Sequence, residues 1–343
     1  MQLKFWRGEL KLTHQWRIAR GSASIINVVF VELRDRDGVV GYGESAPSRR
    51  YQETLETVES FLQNFDPSRL NFDDLEASKA YLASVPGHSS AKGAIDIALY
   101  DGAGKRARKP IYDLLGLGFR EGVHYTSFSI GIDSPDMIRE KVLQARDYPI
   151  LKLKVGVPDD RDNLKALREV APTTLVRVDA NEGWATKEQA LDMLELFAAD
   201  GNIEFCEQPL PTTRAKADLA WLKERSPLPL VADESCLTKD DLLHCADFFH
   251  GVNIKLVKAG GITGGLDALQ TARKLGLKTM LGCMIESSIL ISAAAQLAEL
   301  TDYLDLDGNI LISHDPFFGP TSEKGLMSFQ RAKEKYGLRV IPC

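Results

Sequence analysis

The sequence predicts an α/β protein, a barrel of alternating strands and helices preceded by a smaller α+β domain, and three observations carry that expectation. From about residue 124 onward, short apolar runs alternate with helical stretches. Several runs close on a charged residue, as in Ile150-Leu-Lys-Leu-Lys154, Leu175-Val-Arg-Val-Asp179, Ile203-Glu-Phe-Cys-Glu207, Leu230-Val-Ala-Asp233 and Val252-Asn-Ile-Lys255. From Lys154 these charged ends follow one another at steps of 25, 28, 26 and 22 residues, the length of one strand, one helix and two short loops. Strand ends repeating in this way converge on one mouth of a barrel.

With 343 residues, 44% of them hydrophobic and 26% charged, the chain can bury a sizeable core. A net charge of −6 and a pI near 5.6 argue against a polyanion-binding surface, so nucleic acid is not an expected partner. The five cysteines, Cys206, Cys236, Cys245, Cys283 and Cys343, form no C-x-x-C pair and no zinc-like spacing, which suits a reducing cytoplasm. The first residues lack the apolar core of a signal peptide, and no run approaches the roughly 18 apolar residues of a membrane span, so no membrane partner is expected.

Residues 1–122 are expected to form the α+β capping domain. Val28-Val-Phe-Val-Glu-Leu33 and Val39-Val-Gly-Tyr-Gly43 flank the turn formers Asp35-Arg-Asp-Gly38, which predicts a hairpin. Residues 16–24 and 44–53 read as exposed loops of the kind that line sites. From Thr54 to Gly116 the pattern turns helical, and Ala91 to Lys105 spaces small and apolar residues three and four apart, as a closely packed helix requires. Pro110 opens a short helix that ends at Gly116.

Residues 123–315 are expected to form the barrel. Tyr125 to Gly131 is its first strand, and Ser134-Pro135 opens the helix that follows. The runs quoted above supply strands two to six, Lys278 to Glu286 the seventh and Tyr303 to Gly308 the eighth. His244 and His250 are expected on the solvent face of the helix after strand five. Residues 316–343 have lost the period and are expected to return to the capping domain.

Lys152 and Lys154 alternate with Leu153, so both lysines point to one face. Ammonium groups at a buried strand end need anions around them. Asp179, Glu207 and Asp233 end the next three strands, and three hard oxygen donors without histidine or thiolate favour Mg²⁺, with Mn²⁺ the alternative. Lys154 and Lys255 end strands two and six, on opposite sides of an eight-stranded barrel. Two bases facing each other across a cation-bound carbon acid can take a proton from one face and return one to the other, passing through an enediolate. Alternation also places Asp305 and Asp307 on one face of the eighth strand.

The pair Lys152-Leu-Lys154, together with Asp179-Ala-Asn, Glu207-Gln-Pro, Ala232-Asp-Glu-Ser235, Asn253-Ile-Lys255 and Lys258-Ala-Gly-Gly261, resembles the muconate lactonizing enzyme subgroup of the enolase superfamily over nearly the whole chain. Asp305-Leu-Asp307 and Gly282-Cys-Met-Ile-Glu286 are similar to the corresponding motifs of its dipeptide epimerases. The resemblance implies a (β/α)7β-type modified TIM barrel and a homo-oligomer. It makes Lys154 and Lys255 the acid/base pair and Asp179, Glu207 and Asp233 the ligands of one Mg²⁺ per subunit. It also implies a dipeptide substrate, with Lys152 at its carboxylate, Asp305 and Asp307 at its ammonium, Ser129, Cys283 and Ile285 along the peptide, and Arg20 on a specificity loop.

Other chemistries fit the same residues. N-acylamino acid racemization, o-succinylbenzoate synthesis and muconate cycloisomerization use substrates without a free ammonium, leaving Asp305 and Asp307 without a cationic partner. A Schiff-base aldolase would use one lysine as nucleophile and no metal. Structurally, the acids and lysines could form an ion-pair network, and Cys283 could be a small packed residue.

Overall fold

The computed structural model describes all 343 residues. Three strands open the chain, β1 (Gln2–Ile18), β2 (Gly21–Arg34) and β3 (Val40–Ser45), paired antiparallel in that order. The turn into β3 forms as the sequence predicts, with Asp35 Oδ1 accepting from the backbone N–H of Asp37 and Val39, each at 2.9 Å. Residues 16–24 are a correction. The expected loop is instead the tip of a long β1–β2 hairpin, with Ile18 paired to Gly21 and only Ala19 and Arg20 at the turn.

β2 shows why the sequence is apolar on both faces here. Val29, Val31 and Leu33 pack under helices α1 (Leu55–Asn64), α2 (Leu75–Ser84) and α3 (Ser89–Ala107), while Val28 and Phe30 join the core continuous with the barrel. With side chains alternating along a strand, one element buries apolar surface in two layers. α3 lies directly on β3. A Cβ built on Gly43 would sit 1.9 Å from the Ala94 carbonyl oxygen, so only glycine permits this approach.

After α4 (Ile111–Leu114) the chain enters eight parallel strands: β4 (Phe128–Ile130), β5 (Ile150–Lys154), β6 (Leu175–Asp179), β7 (Ile203–Glu207), β8 (Leu230–Ala232), β9 (Gly251–Lys255), β10 (Lys278–Gly282) and β11 (Tyr303–Asp305). Their order in the sheet is their order in the chain, and a bridge between Thr126 and Leu304 joins the two ends into a barrel. Helices follow the strands as α5 (Pro135–Gln144) to α12 (Ser288–Ala295), and the Ser134 hydroxyl caps α5 as expected. The eighth strand is shorter than expected, because Leu306 N–H leaves the ladder to donate to Thr126 Oγ1 at 2.6 Å.

His250 also differs from expectation: it is half-buried, and its Nδ1 accepts from Leu230 N–H at 2.9 Å, tying β8 to β9. The last residues form short strands that touch both regions. Phe317 packs on Phe30 and Tyr42, and Leu326 bridges to Tyr125. No helix is long and apolar enough to cross a membrane.

Candidate active site

Parallel register lines the charged strand ends up at one level. Lys154 lies beside Asp179, and Asp179 beside Glu207. On the far side, Gly282 lies beside both Lys255 and Asp305. Lys152, Lys154, Asp233, Lys255, Asp305 and Asp307 all line one cavity of about 950 Å³ including its mouth, a size suited to a small molecule. Lys154 and Lys255 reach it from β5 and β9, four strands apart in the eight-stranded barrel.

The sequence reading gathers Asp179, Glu207 and Asp233 around one cation. In the structure the positive charge among them is that of lysines, and no three of the acids stand in an arrangement that would hold a metal ion as they are. Lys152 Nζ lies 3.2 Å from Asp179 Oδ2, 2.8 Å from Glu207 Oε2 and 2.5 Å from Asp305 Oδ2. Lys154 Nζ donates to Asp179 Oδ2 at 2.6 Å, and Lys255 Nζ to Asp233 Oδ2 at 2.8 Å. Burial opposes ionisation of Asp179, yet the Lys154 and Lys152 ammoniums hold its carboxyl down at about 2. Glu207 differs: burial and the Asp179 charge push it up to about 7, and its buried Oε2 makes no well-directed hydrogen bond despite the nearby Lys152. Against burial, the charges of Asp233 and Glu207 hold Lys255 well above the usual lysine range. The donor set, three buried carboxylates on adjacent strand ends with one oxygen poorly satisfied, has the chemistry that a hard divalent cation takes.

Asp305 and Asp307 have different partners. Asp305 is bonded to Lys152 and to Ser127 Oγ, the latter at 2.6 Å. Asp307 takes the Ser129 N–H at 2.6 Å, and no ammonium or guanidinium pairs with it. Burial and the Asp305 charge raise its carboxyl to about 6. Cys283 Sγ lies 3.8 Å from Asp307 Oδ1, and burial pushes this thiol well up, away from the lowered values of reactive thiolates. Cys283 and Ile285 line the cavity wall, as does Ser129.

Arg20 also reaches the cavity, but its guanidinium has partners already: Glu234 Oε1 at 2.6 Å, the Asn181 carbonyl at 2.7 Å and Glu182 Oε2 at 3.3 Å. Sequence reasoning assigned no role to two further residues. Lys258 is buried and donates to Asp233 Oδ1 at 2.6 Å, to the Asp233 carbonyl at 2.7 Å and to the Cys236 carbonyl at 2.8 Å. Asn253 donates to Glu207 Oε1 at 2.7 Å, and its amide occupies space that a Cβ at Gly282 would invade, 2.4 Å from Asn253 Oδ1. The signal was present in both cases: a polar side chain two before, and a lysine three after, a charged strand end.

Comparisons with known proteins agree with this arrangement. Residues 7–116 match the mandelate racemase/muconate lactonizing enzyme N-terminal domain, and residues 137–322 match the enolase C-terminal domain-like family. An L-Ala-D/L-amino acid epimerase of Pedosphaera parvula is 59% identical, with 99% of each chain covered. The substrate-liganded L-Ala-D/L-Glu epimerase from Bacillus subtilis superposes with a TM-score of 0.91 at 27% identity, over 100% of this chain and 98% of that one. The dipeptide epimerase from Enterococcus faecalis V583, complexed with Mg and the dipeptide L-Leu-L-Tyr, gives 0.87 at 32% identity over 99% and 98%. With its cap, its barrel and its charged strand ends accounted for, the chain belongs to the mandelate racemase/muconate lactonizing enzyme family of enolase-like proteins.

Proposed function

We propose that this chain is an Mg²⁺-dependent dipeptide epimerase, inverting the α-carbon of the C-terminal residue by a 1,1-proton transfer. One observation carries the reading: Lys154 and Lys255 open from opposite walls onto a cavity that Asp305 and Asp307 also line. The relatives named above act in the same sense, as epimerases of dipeptides.

Asp179, Glu207 and Asp233 would hold the ion. When bound, Mg²⁺ supplies charge to the substrate carboxylate as the α-carbon loses its proton. Lys152, at the floor of the cavity, adds a fixed ammonium for that carboxylate. Lys154 takes the proton from one face and Lys255 returns one to the other, the two exchanging roles for the opposite diastereomer. Asp307, which lacks a cationic partner in the protein, receives the substrate ammonium. This favours a dipeptide over N-acylated or muconate-like substrates, which would leave that carboxylate buried and unpaired.

The test is exchange in D₂O. Incubation of a dipeptide panel with Mg²⁺ should place deuterium at the α-carbon of the C-terminal residue, and EDTA should stop it. Lys255→Ala should abolish inversion yet keep exchange for the one diastereomer that Lys154 deprotonates, with Lys154→Ala showing the mirror pattern. Exchange that continues in EDTA, or a borohydride-trapped adduct on either lysine, would point to the aldolase chemistry instead.

A further inference from the structure

A second cavity adjoins the first beneath the β1–β2 hairpin. It measures about 630 Å³ with its mouth, and Leu12, Phe128 and Ile310 line it but not the catalytic cavity. Trp16, Ser129 and Leu311 line both, so they form the partition between the two. Asp307 is anchored on that partition, because its Oδ2 accepts the Ser129 N–H at 2.6 Å.

We infer that this side cavity receives the side chain of the substrate's N-terminal residue, and that it takes uncharged, apolar side chains up to the size of leucine or phenylalanine. The inference rests on the dipeptide reading and deepens it. In a dipeptide, the carbon bearing the ammonium also bears the N-terminal side chain. An ammonium on Asp307 therefore sets that side chain off from the partition, while the C-terminal residue lies between Lys154 and Lys255 in the other cavity. The titratable groups of the side cavity, His14 and Lys141, are already paired. His14 Nε2 lies 2.9 Å from Gln144 Oε1, and Lys141 Nζ donates to Asp133 Oδ2 at 2.9 Å. A charged side chain would enter without a partner, whereas an apolar one would remove surface from water against Leu12, Phe128 and Ile310.

The experiment compares L-Ala-L-Ala, L-Leu-L-Ala and L-Asp-L-Ala as substrates of the Mg²⁺-loaded enzyme, read by deuterium incorporation. The kcat/KM for L-Leu-L-Ala should equal or exceed that for L-Ala-L-Ala and stand about 10-fold above that for L-Asp-L-Ala. Ile310→Trp, which fills the side cavity, should lower the L-Leu-L-Ala value about 10-fold and change the L-Ala-L-Ala value less than about 2-fold. Gln144→Phe, on the exposed rim, repeats the filling should Ile310→Trp fail to fold. Turnover of L-Ala-L-Ala with rejection of L-Leu-L-Ala overturns the inference and leaves the epimerase reading standing. So does an equal loss on both substrates in the filled variants. Exchange with no dipeptide would remove the epimerase reading itself.

Discussion

Asp305 and Asp307 are equivalent in the sequence, two acids on one face of a strand, and only partners from other strands separate them. Lys152 compensates Asp305, while Asp307 has only neutral partners, the Ser129 N–H and the Cys283 thiol. An ionised Asp307 binds a substrate ammonium and a protonated one does not. With its carboxyl raised to about 6 by burial and the Asp305 charge, KM for a dipeptide should rise as pH falls through that value, by about 10-fold one unit below it. Asp307→Asn should raise KM throughout and erase this acid limb, which steady-state kinetics between pH 5 and 8 would show. An unchanged limb would place the titration elsewhere. The two opposed lysines and three acids were legible in the sequence because a charge closing a buried strand is costly unless something meets it. The part played by Lys258 was only half legible, because the lysine three past a charged strand end is visible but its partners lie on the loop after β8. Lys258→Met leaves Asp233 Oδ1 without its ammonium and should cost about 3 kcal/mol in urea denaturation, as breaking a buried pair does. A loss below about 1 kcal/mol would mean that water or Lys255 takes over.

Among the elements, period and punctuation made the barrel strands and their helices legible, because the strands are buried on both faces and most of the helices, unlike the wholly buried α12, carry one apolar stripe. The hairpin tip at residues 16–24 was not. Its Arg, Gly and Ser composition reads as a loop, yet the ladder continues past a register shift between Lys11 and Trp16, projecting the ribbon so that Trp16, Ile18 and Arg20 wall the catalytic cavity. His250 was misplaced for a similar reason: a histidine next to a helix end looks solvated until the neighbouring strand supplies the Leu230 N–H. The contact of α3 with β3 was half legible, in the small residues of the helix, while the matching glycine on the strand gave no sign of its role. Gly43→Ala would put a methyl group 1.9 Å from a helix carbonyl, backbone against side chain with no flexible group to yield. It should destabilise the chain by roughly 1–3 kcal/mol or more, measured as a shift of the denaturation midpoint. A wild-type midpoint would show that α3 can slide on the sheet.

Across the whole molecule, the N-terminal elements are tied to the barrel at buried or half-buried polar points, and these differ in what they hold. Glu44 accepts from Ser287 N–H and Oγ at the start of α12, and Asp96 accepts from Thr263 N–H and Oγ1 at the start of α11 (Ile262–Lys274), both fixing helix ends. Glu182 is different, because it binds arginines from two separate N-terminal segments. Arg50 Nη2 reaches its Oε1 at 2.9 Å and Arg50 Nε its Oε2 at 3.1 Å, while Arg20 Nη1 lies 3.3 Å from Oε2. The residue holds a left-handed backbone (φ +68°) three residues past the end of β6. Burial raises its carboxyl, but the Arg50 hydrogen bonds and the Thr212 N–H outweigh burial and keep it ionised. One carboxylate thus joins the hairpin tip and the segment around Arg50 to the barrel directly above the catalytic cavity. Glu182→Gln keeps the shape and removes the charge, so both segments should loosen together while Lys154 and Lys255 stay in place on their strands. The expected result is a KM raised about 3- to 10-fold with kcat nearly unchanged, since positioning over the mouth is lost and the proton-transferring groups are not. The same variant should make the hairpin tip and residues 48–52 exchange amide hydrogens faster, with β6 and β9 unaffected. A fall in kcat at constant KM, or faster exchange in the barrel strands, would show that Glu182 supports the catalytic strands and not the closure above them.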